Sequence, residues 1–318
     1  MSKKILGVDI GGTKCAVVLG IDNDGALEIK DKIRFETSDV RSTIEKITAS
    51  LKEMMSRHGL CPGDIHGTGI SCGGPLDSRT GVVMSPPNLP GWDNIPIVKL
   101  VEEATGTKAA LQNDANACAL AEWTYGAGKG SRNMAFLTFG TGLGAGLVLE
   151  GKLYTGTNDN AGELGHIRLA PYGPVGYGKA GSFEGFCSGG GIAQLAKTYV
   201  KEKMMMGEKV PWCPDPEEVD AKAVAVAARS GDPLARRILD MSSEYLGAGL
   251  SILIDIINPE VIVIGSIYAR NEDIMAPVMQ RIIDREALPP ASKVCRVVPA
   301  ALGEAIGDFA AISVGAAL

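Results

Sequence analysis

Residues 5–19 read Ile5-Leu6-Gly7-Val8-Asp9-Ile10-Gly11-Gly12-Thr13-Lys14-Cys15-Ala16-Val17-Val18-Leu19. The apolar runs on both sides of the glycines predict a strand, a tight turn and a returning strand. The pattern recurs at residues 135–149, where Leu137-Thr138-Phe139-Gly140 aligns with Val8-Asp9-Ile10-Gly11. Because glycine turns let main-chain N–H groups approach an anion, the repeat suggests two loops that bind a polyanion such as the phosphates of a nucleotide. Two ordinary hairpins are the alternative interpretation.

The composition favours a two-domain protein that binds a small molecule. The chain has 318 residues, 45% of them hydrophobic, which is long for a single core. Its net charge of −6, without a basic cluster, disfavours nucleic acid and membrane surfaces as partners. The most apolar stretch, residues 250–267, contains Asp255, Asn258, Pro259 and Glu260, so it predicts a buried helix, a turn and a strand and not a membrane span. The N-terminus shows no secretory signal, and we expect a cytoplasmic location.

Strands and helices alternate in both halves of the chain, which predicts an α/β fold with mixed sheets. In the first half, a capping box at residues 42–45 predicts a helix that stops at Gly59. The proline-rich residues 84–94 predict a loop that is either a binding surface or a plain connection. In the second half we expect irregular structure at residues 151–191 and a helix from Gln194. Further helices are expected from Ala221, from Asp232 and, with close packing, over residues 303–318.

The second glycine turn also matches a dinucleotide-binding fingerprint. Gly140-Thr141-Gly142-Leu143-Gly144-Ala145 fits the spacing G-x-G-x-x-A, and Glu163 follows about twenty residues later. That fingerprint requires a helix directly after the glycines, whereas residues 146–149 continue as a strand. A strand also follows Lys14, so the first turn is not a Walker A loop. The sequence therefore disfavours NAD as a ligand.

Two aspartates are the candidate metal-binding and catalytic groups. Asp9 lies beside the first glycine turn and could hold Mg²⁺, directly or through water; a turn aspartate bonded to its own backbone is the alternative. Asp114 lies where a strand leads into a helix, so it is either an N-cap or a general base. Glu163 and His166 have the spacing of a metal pair, but a single copy offers too few ligands. The same two side chains could bond the hydroxyls of a sugar.

Together these motifs resemble the sugar-kinase branch of the ROK family (repressor, open reading frame, kinase), within the actin-like ATPase superfamily. The resemblance covers essentially the whole chain. Residues 9–14 resemble the first phosphate motif, residues 138–144 the second, and residues 261–265 the strand that leads to the adenosine loop. Asn88-Leu89 and residues 113–117 resemble the sugar-contacting and catalytic segments of the family.

The resemblance implies a two-lobed actin-like ATPase (ribonuclease H-like) fold with mixed sheets and an interlobe cleft. The small lobe is expected at residues 1–119, completed by the C-terminal helix at 303–318, and the large lobe at 120–302. A homodimer is implied as well. A repressor of this family would carry an N-terminal helix-turn-helix segment, which we do not expect because the first strand starts at about residue 4.

The activity implied is ATP- and Mg²⁺-dependent phosphorylation of a hexose at its 6-hydroxyl, with glucose as the first expectation. Mannose, fructose or an N-acetylhexosamine are alternatives, and the presence of Asp114, the expected base, disfavours a non-catalytic sugar sensor. The residues expected to orient the sugar are Gly74, Asn88, Asn113, Glu163, His166 and Glu184. Those expected to bind the nucleotide are Asp9, which also serves Mg²⁺, Gly11, Gly12, Thr13, Lys14, Thr138, Gly140, Thr141, Gly142 and Gly265.

The chain departs from the family pattern in two places. The family usually binds a structural zinc through three cysteines and the histidine matched by His166, whereas this chain has Val175, Tyr177 and Ser182 at the cysteine positions. A closed zinc site needs four nitrogen or sulfur ligands, so we expect no zinc. Packing of Tyr172, Tyr177 and Phe183 is expected to hold this loop instead. The adenosine loop, Gly265-Ser266-Ile267-Tyr268, also has fewer glycines than usual.

Overall fold

The structure is a computed structural model that describes residues 2–318. Its strands are β1 Lys3–Ile10, β2 Lys14–Asp22, β3 Leu27–Glu36, β4 Ile65–Cys72, β5 Leu76–Asp77, β6 Val82–Val83, β7 Ala109–Asn113, β8 Met134–Phe139, β9 Leu143–Leu149, β10 Lys152–Tyr154, β11 Val175–Gly176, β12 Lys179–Ala180, β13 Val261–Ile264 and β14 Arg296–Pro299. Its helices are α1 Val40–Arg57, α2 Ile97–Thr105, α3 Asp114–Tyr125, α4 Phe183–Phe186, α5 Gly189–Met205, α6 Ala221–Arg229, α7 Pro233–Ile257, α8 Ser266–Arg270, α9 Glu272–Glu286, α10 Pro289–Ser292 and α11 Ile306–Ala316. Short 3₁₀ helices cover Pro62–Asp64, Leu164–His166 and Gly303–Ala305.

The first sheet is mixed and has the strand order β3–β2–β1–β4–β7. Antiparallel pairs join β1 to β2 and β2 to β3, whereas β4 is parallel to both β1 and β7. Ile10 at the end of β1 lies opposite Cys72, which in turn lies opposite Asn113 at the end of β7. The segments that follow β1, β4 and β7 therefore begin at one edge of this sheet, where α/β proteins commonly bind ligands.

The second sheet has the order β10–β9–β8–β13–β14. Its strand β13 is parallel to β8 and β14, and Ile264 lies opposite Leu137. The Gly265 N–H donates to the Leu137 carbonyl oxygen at 2.9 Å. The turn after β8 and the loop after β13 therefore start at the same edge. The expected α/β fold with mixed sheets is confirmed.

The chain forms two compact units. The first comprises the chain up to Arg132 together with Gly146–Ala161 and Ala301–Leu318, and the second comprises Asn133–Ala145 and Gly162–Ala300. Parts of the range assigned from the sequence to the large lobe thus pack with the first unit. The boundaries of the functional lobes stay a prediction.

Helix α11 packs directly on the first sheet, with backbone against backbone at Gly69 and Gly315 and with Ile5, Val18 and Ile312 packed together beside this crossing. A Cβ atom on Gly69 in β4 would lie 2.0 Å from the carbonyl oxygen of Ala311, and one on Gly315 would lie 2.7 Å from the nitrogen of Gly69. Larger residues would force the helix away from the sheet. The close packing predicted for the C-terminal helix is confirmed.

Two helices begin earlier than predicted. The Asp39 carboxylate accepts the Ser42 N–H and caps α1, so the proposed capping box at residues 42–45 is wrong and the helix starts at Val40. Ser188 caps α5, which starts at Gly189 and not near Gln194. A first turn built of glycines carries no hydrophobic periodicity, which is why the pattern missed it. Within residues 2–318, none of the helices is both long and apolar enough to cross a membrane.

Candidate active site

The first glycine turn joins β1 to β2 within the first unit. The Gly11 N–H donates to the Lys14 carbonyl oxygen at 3.1 Å, and the Thr37 hydroxyl donates to the Gly11 carbonyl oxygen at 2.7 Å. Neither Gly11 nor Gly12 has a positive φ. A Cβ atom would instead lie 2.8 Å from the Lys14 oxygen at Gly11 and 2.6 Å from the Asn88 carbonyl oxygen at Gly12. The glycines serve close approach and not a left-handed backbone, and the turn leaves Gly12, Thr13 and Lys14 exposed to a ligand.

Three of the residues expected to contact a sugar lie near this turn, at the carboxyl edge of the first sheet. The main chain of Asn88 contacts Gly12, and a Cβ atom on Gly73 would lie 3.3 Å from the Asn88 Oδ1 atom. A Cβ atom on Gly74 would lie 3.1 Å from the Asn113 Nδ2 atom. The first unit therefore brings Gly12, Gly74, Asn88 and Asn113 together. Their contact with a sugar stays a prediction.

Asn113, and not Asp114, is the N-cap of α3. The Asn113 Oδ1 atom accepts the Ala115 N–H at 2.9 Å, and Asp114, the first helical residue, accepts the same N–H through Oδ1 at 2.8 Å. The N-cap interpretation of Asp114 is therefore wrong. Within residues 2–318, its Oδ2 atom accepts no hydrogen bond.

The surrounding protein raises the pKa of the Asp114 carboxyl group by displacing part of its hydration, and the Ala115 N–H only partly opposes this effect. Asp114 nevertheless remains solvent-exposed. An accessible carboxylate with a raised pKa and a free oxygen has the properties of a general base.

Asp9 lies in β1, one residue before its end, and is partly buried. Burial raises the pKa of its carboxyl group to about 6, assisted by the negative charges of Asp308 and Asp114 and opposed by Lys32. Within residues 2–318 it makes no hydrogen bond to its own backbone, which removes the turn-aspartate alternative. A divalent cation nearby would favour the charged form, and a carboxylate oxygen is a ligand that Mg²⁺ prefers. Asp9 therefore fits a magnesium site.

The second glycine turn, in the second unit, is closed by a shorter-range backbone hydrogen bond than the first. The Gly140 N–H donates to the Gly142 carbonyl oxygen at 3.1 Å, and the Thr138 hydroxyl oxygen accepts the Gly144 N–H at 2.9 Å. Thr138 thus holds the shape of the hairpin. A Cβ atom on Gly142 would lie 2.7 Å from the Glu184 Oε2 atom, which accepts the Leu143 N–H at 3.0 Å.

Glu163, His166 and Glu184 also lie in the second unit, close to this turn. The 3₁₀ helix Leu164–His166 begins directly after Glu163. A Cβ atom on Gly165 would lie 2.3 Å from the Leu143 carbonyl oxygen and 3.3 Å from the Glu184 Cβ atom. The segment expected to bind a sugar is therefore in direct contact with the segment expected to bind phosphate.

The N-terminus of α5 is an element of this site that the sequence patterns did not predict. The Gly189 N–H donates to the Gly140 carbonyl oxygen at 2.7 Å, which joins the start of the helix to the second turn. The first N–H groups of a helix form a natural anion site. Ser188, a preferred N-cap residue before three glycines, was the signal that could have identified it.

A pocket of 750 Å³ opens beside these glycines, entirely within the second unit. Gly140, Thr141, Gly189 and Gly190 line one part of it. The remaining lining residues are Asp220, Ala221, Lys222, Ala225, Val226, Arg229, Ser266, Ile267, Arg270 and Asn271. Gly265, which was expected to bind the nucleotide, does not line the pocket itself but immediately precedes the lining residue Ser266. Small-molecule pockets have volumes of about 300–1,000 Å³, so this pocket is of a size that can hold a nucleotide.

The loop that matches the zinc-binding loop of the family is held by hydrogen bonds in this chain. Gln194 in α5 accepts the Val175 N–H through Oε1 and donates from Nε2 to the Val175 carbonyl oxygen, both at 2.9 Å. The buried Ser182 caps α4 and accepts the Gly185 N–H at 3.1 Å. Two of the three positions that would carry cysteines thus take part in polar contacts of another kind.

Aromatic packing contributes less to this loop than predicted. Phe183 is fully buried, whereas Tyr172 and Tyr177 are 84% and 74% exposed. The prediction that these two tyrosines anchor the loop is therefore wrong. Tyr177 instead lies edge-on to the ring of His166, with 6.3 Å between the ring centroids.

Comparisons with known proteins cover the chain over nearly its full length. The sequence model of the ROK family matches residues 5–316. The glucokinase of Thermotoga maritima is 33% identical over 98% of this chain and 96% of its own. The N-acetylmannosamine kinase of Escherichia fergusonii is 34% identical over 76% of this chain and 75% of its own. A solved ROK family glucokinase from Streptomyces griseus, in complex with glucose and AMPPNP, has 26% identity and a TM-score of 0.76 over 99% of this chain and 100% of its own.

Proposed function

Since the chain belongs to the ROK family, we propose that it is an ATP-dependent hexokinase with glucose as its main acceptor. The observation that carries this proposal is the position of Asp114. Its free carboxylate oxygen lies at the sheet edge where Gly74, Asn88 and Asn113 also meet. The fold and the similarity to glucokinases support the same activity.

In the proposed reaction, the 6-hydroxyl of the sugar loses its proton to the Asp114 Oδ2 atom. The sugar O6 then forms a bond to the γ-phosphorus of ATP, and the bond from that phosphorus to the β–γ bridging oxygen breaks, which releases ADP. Phosphoryl transfer needs positioning and charge stabilisation more than covalent catalysis. N–H groups of the glycine turns and of the α5 N-terminus supply both to the phosphates.

Magnesium, when bound, would neutralise charge on the β- and γ-phosphates. Asp9 would hold it, directly or through water. Thr13 and Lys14 are exposed beside the first turn, where they can contact a phosphate oxygen. Glu163, His166 and Glu184 are proposed to orient the sugar.

N-acetylmannosamine is the second candidate acceptor, favoured by the similarity to an N-acetylmannosamine kinase. The two sugars differ in the group at C2 and in its configuration. Segments around Asn88 and Glu163 are proposed to decide between them. The proposal also includes a cytoplasmic location, where ATP is available. It includes a homodimer as well, which light scattering of the purified protein tests.

An ADP-release assay with ATP, Mg²⁺ and a panel of hexoses tests the function. The panel contains glucose, mannose, fructose, N-acetylglucosamine and N-acetylmannosamine. We expect the highest kcat/KM with glucose, and no product with 6-deoxyglucose, which is added to the panel as the control without a 6-hydroxyl. Turnover restricted to N-acetylmannosamine would select the second candidate, and absence of turnover with every sugar would refute the kinase.

A further inference from the structure

The wall of the nucleotide pocket contains a side chain with no role in the proposed reaction. Arg229, the last residue of α6, donates from Nη1 to the Asp273 Oδ2 atom and from Nη2 to the Asp273 Oδ1 atom, both at 2.8 Å. Its Nη2 group also donates to the Arg270 carbonyl oxygen at 2.8 Å and lies 3.2 Å from the Asn271 Oδ1 atom. One guanidinium group therefore joins α6 to the end of α8 and the start of α9.

These contacts continue from Arg229 into α8, which lies beside the phosphate turn. The Asn271 side chain donates from Nδ2 to the Ile267 carbonyl oxygen at 2.8 Å, and Asn271 is only 6% exposed. Ile267 follows Ser266, and both line the pocket. A continuous set of hydrogen bonds thus runs from Arg229 through Asn271 to the pocket wall.

The start of α8 depends on such support because the backbone of its first residue is strained. Ser266 has a φ of 51°, in the left-handed region that favours glycine. A residue in this conformation persists only when its surroundings fix it. Ser266 also lies beside the phosphate turn, since a Cβ atom on Gly140 would lie 3.8 Å from the Ser266 Oγ atom.

We propose that Arg229 is a positioning residue that holds residues 266–271 in the shape required for nucleotide binding. The proposal rests on the proposed function in one respect, namely that a nucleotide occupies this pocket. A forked guanidinium with a bidentate carboxylate partner fixes geometry in a way that a single ammonium contact does not. Arg236 offers the contrast in the same unit, because its Nε atom makes one contact with Asp240 along a single helix.

The test compares Arg229→Ala with Arg236→Ala, a matched control of similar exposure, 43% against 45% for the arginine side chains. Titration calorimetry measures binding of MgADP, and steady-state kinetics gives KM for ATP and for glucose. Loosening of a supporting contact should weaken MgADP binding and raise KM for ATP by about tenfold. We expect KM for glucose to change less than about twofold and the control to match the wild type. Arg229→Lys, which keeps the charge and loses the fork, should lie between.

Asp273→Asn is the second variant, since it keeps the shape of the partner and removes its charge, and it should weaken MgADP binding in the same direction. Unchanged MgADP binding in folded Arg229→Ala or Asp273→Asn protein would overturn the proposal. A fall in Tm with equal losses for ATP and glucose would also overturn it, because the pair would then be only structural. A wild-type protein that binds MgADP and phosphorylates no hexose would refute the proposed function alone, because the binding comparison still decides the role of Arg229.

Discussion

At the scale of single residues, two neighbouring side chains have different roles at the start of α3. Asn113 caps the helix, which leaves one oxygen of Asp114 without a hydrogen bond inside the protein. Asparagine and aspartate are equally good caps, so the sequence could not tell which residue had which task. The backbone decides it, because Asn113 has a non-helical φ of −59° and ψ of 144° and Asp114 is already helical.

Asp114→Asn should reduce kcat by about 10²–10⁴ and leave glucose affinity within a few-fold, because an amide keeps the shape but cannot accept the proton. Steady-state kinetics and glucose titration measure the two effects. Asp39→Asn is the matched control, since asparagine can still cap α1, and it should keep full activity. A kcat near the wild-type value in Asp114→Asn would show that another group is the base.

The pH dependence of kcat/KM for MgATP, which reports the enzyme before the metal binds, should show an acid limb at an unusually high pH. Burial raises the pKa of the Asp9 carboxyl group to about 6, and partial loss of hydration raises the pKa of the accessible Asp114 carboxyl group as well. A raised carboxyl pKa means that the charged form is lost at a higher pH as acid is added, so activity should fall below pH of about 6. Profiles measured between pH 5 and 9 with folding checked at each point give the answer. Full activity down to pH 5 would contradict it.

At the scale of single elements, the second glycine turn is shaped by contact with Glu184. Gly142→Ala would place a methyl group 2.7 Å from the Glu184 Oε2 atom and should displace the Leu143 N–H bond. We expect KM for ATP to rise by about tenfold or more, because the turn moves away from the phosphates. Gly63→Ala is the control, since nothing lies within 4 Å of its added Cβ atom. An equal KM for ATP in the two variants would show that the turn has no role in nucleotide binding.

The loop at residues 171–185 should not depend on zinc. The protein is predicted to contain no stoichiometric zinc and to keep its activity after EDTA treatment once excess Mg²⁺ is restored. Gln194→Ala removes both side-chain bonds to Val175 and should lower Tm by about 2–4 °C, the effect of roughly 1 kcal/mol. Elemental analysis and thermal melts measure these outcomes. Stoichiometric zinc in protein purified without added metal would contradict the prediction.

Elements defined by periodic patterns could be predicted from the sequence, and those defined by hydrogen bonds could not. The two hairpins and the strand at residues 261–264 follow from alternating or continuous apolar runs. The start of α5 could not be predicted in this way, because Gly189–Gly191 has no side chains to form a pattern. Contact between Gly165 and Leu143 joins segments far apart in sequence, and no local pattern encodes it.

At the scale of the whole molecule, burial of charge at the sheet edge opposes stability. Asp308 in α11 is paired with Lys32 in β3, whose Nζ atom lies 2.5 and 2.6 Å from its two carboxylate oxygens. Asp9 has no such partner within residues 2–318. Because the folded protein raises the pKa of Asp9 above 3.8, it binds this proton more tightly than the unfolded chain does. Stability attributable to Asp9 is therefore present at low pH and is lost as the pH rises to about 6.

Asp9→Asn should raise the free energy of unfolding at pH 7.5 by about 1–2 kcal/mol in the absence of Mg²⁺, because it removes a charge that is costly to bury. The same change should strongly reduce kcat. Urea denaturation at pH 7.5 and pH 4 measures the first effect, and the difference should shrink at pH 4, where the wild-type carboxyl group is protonated in the folded state. A destabilised variant at pH 7.5 would show that Asp9 forms a stabilising contact instead.

The hydrogen bond between Glu184 and the Leu143 N–H has a thermodynamic consequence for the two substrates. The Glu184 carboxylate is expected to contact the sugar. The same carboxylate already holds the phosphate turn by accepting the Leu143 N–H. Any change that the sugar makes in this carboxylate must alter the affinity for the nucleotide, and reciprocity requires the nucleotide to alter the affinity for the sugar by the same factor. Substrate synergism would then pass through one contact, 3.0 Å long, without any movement of a domain.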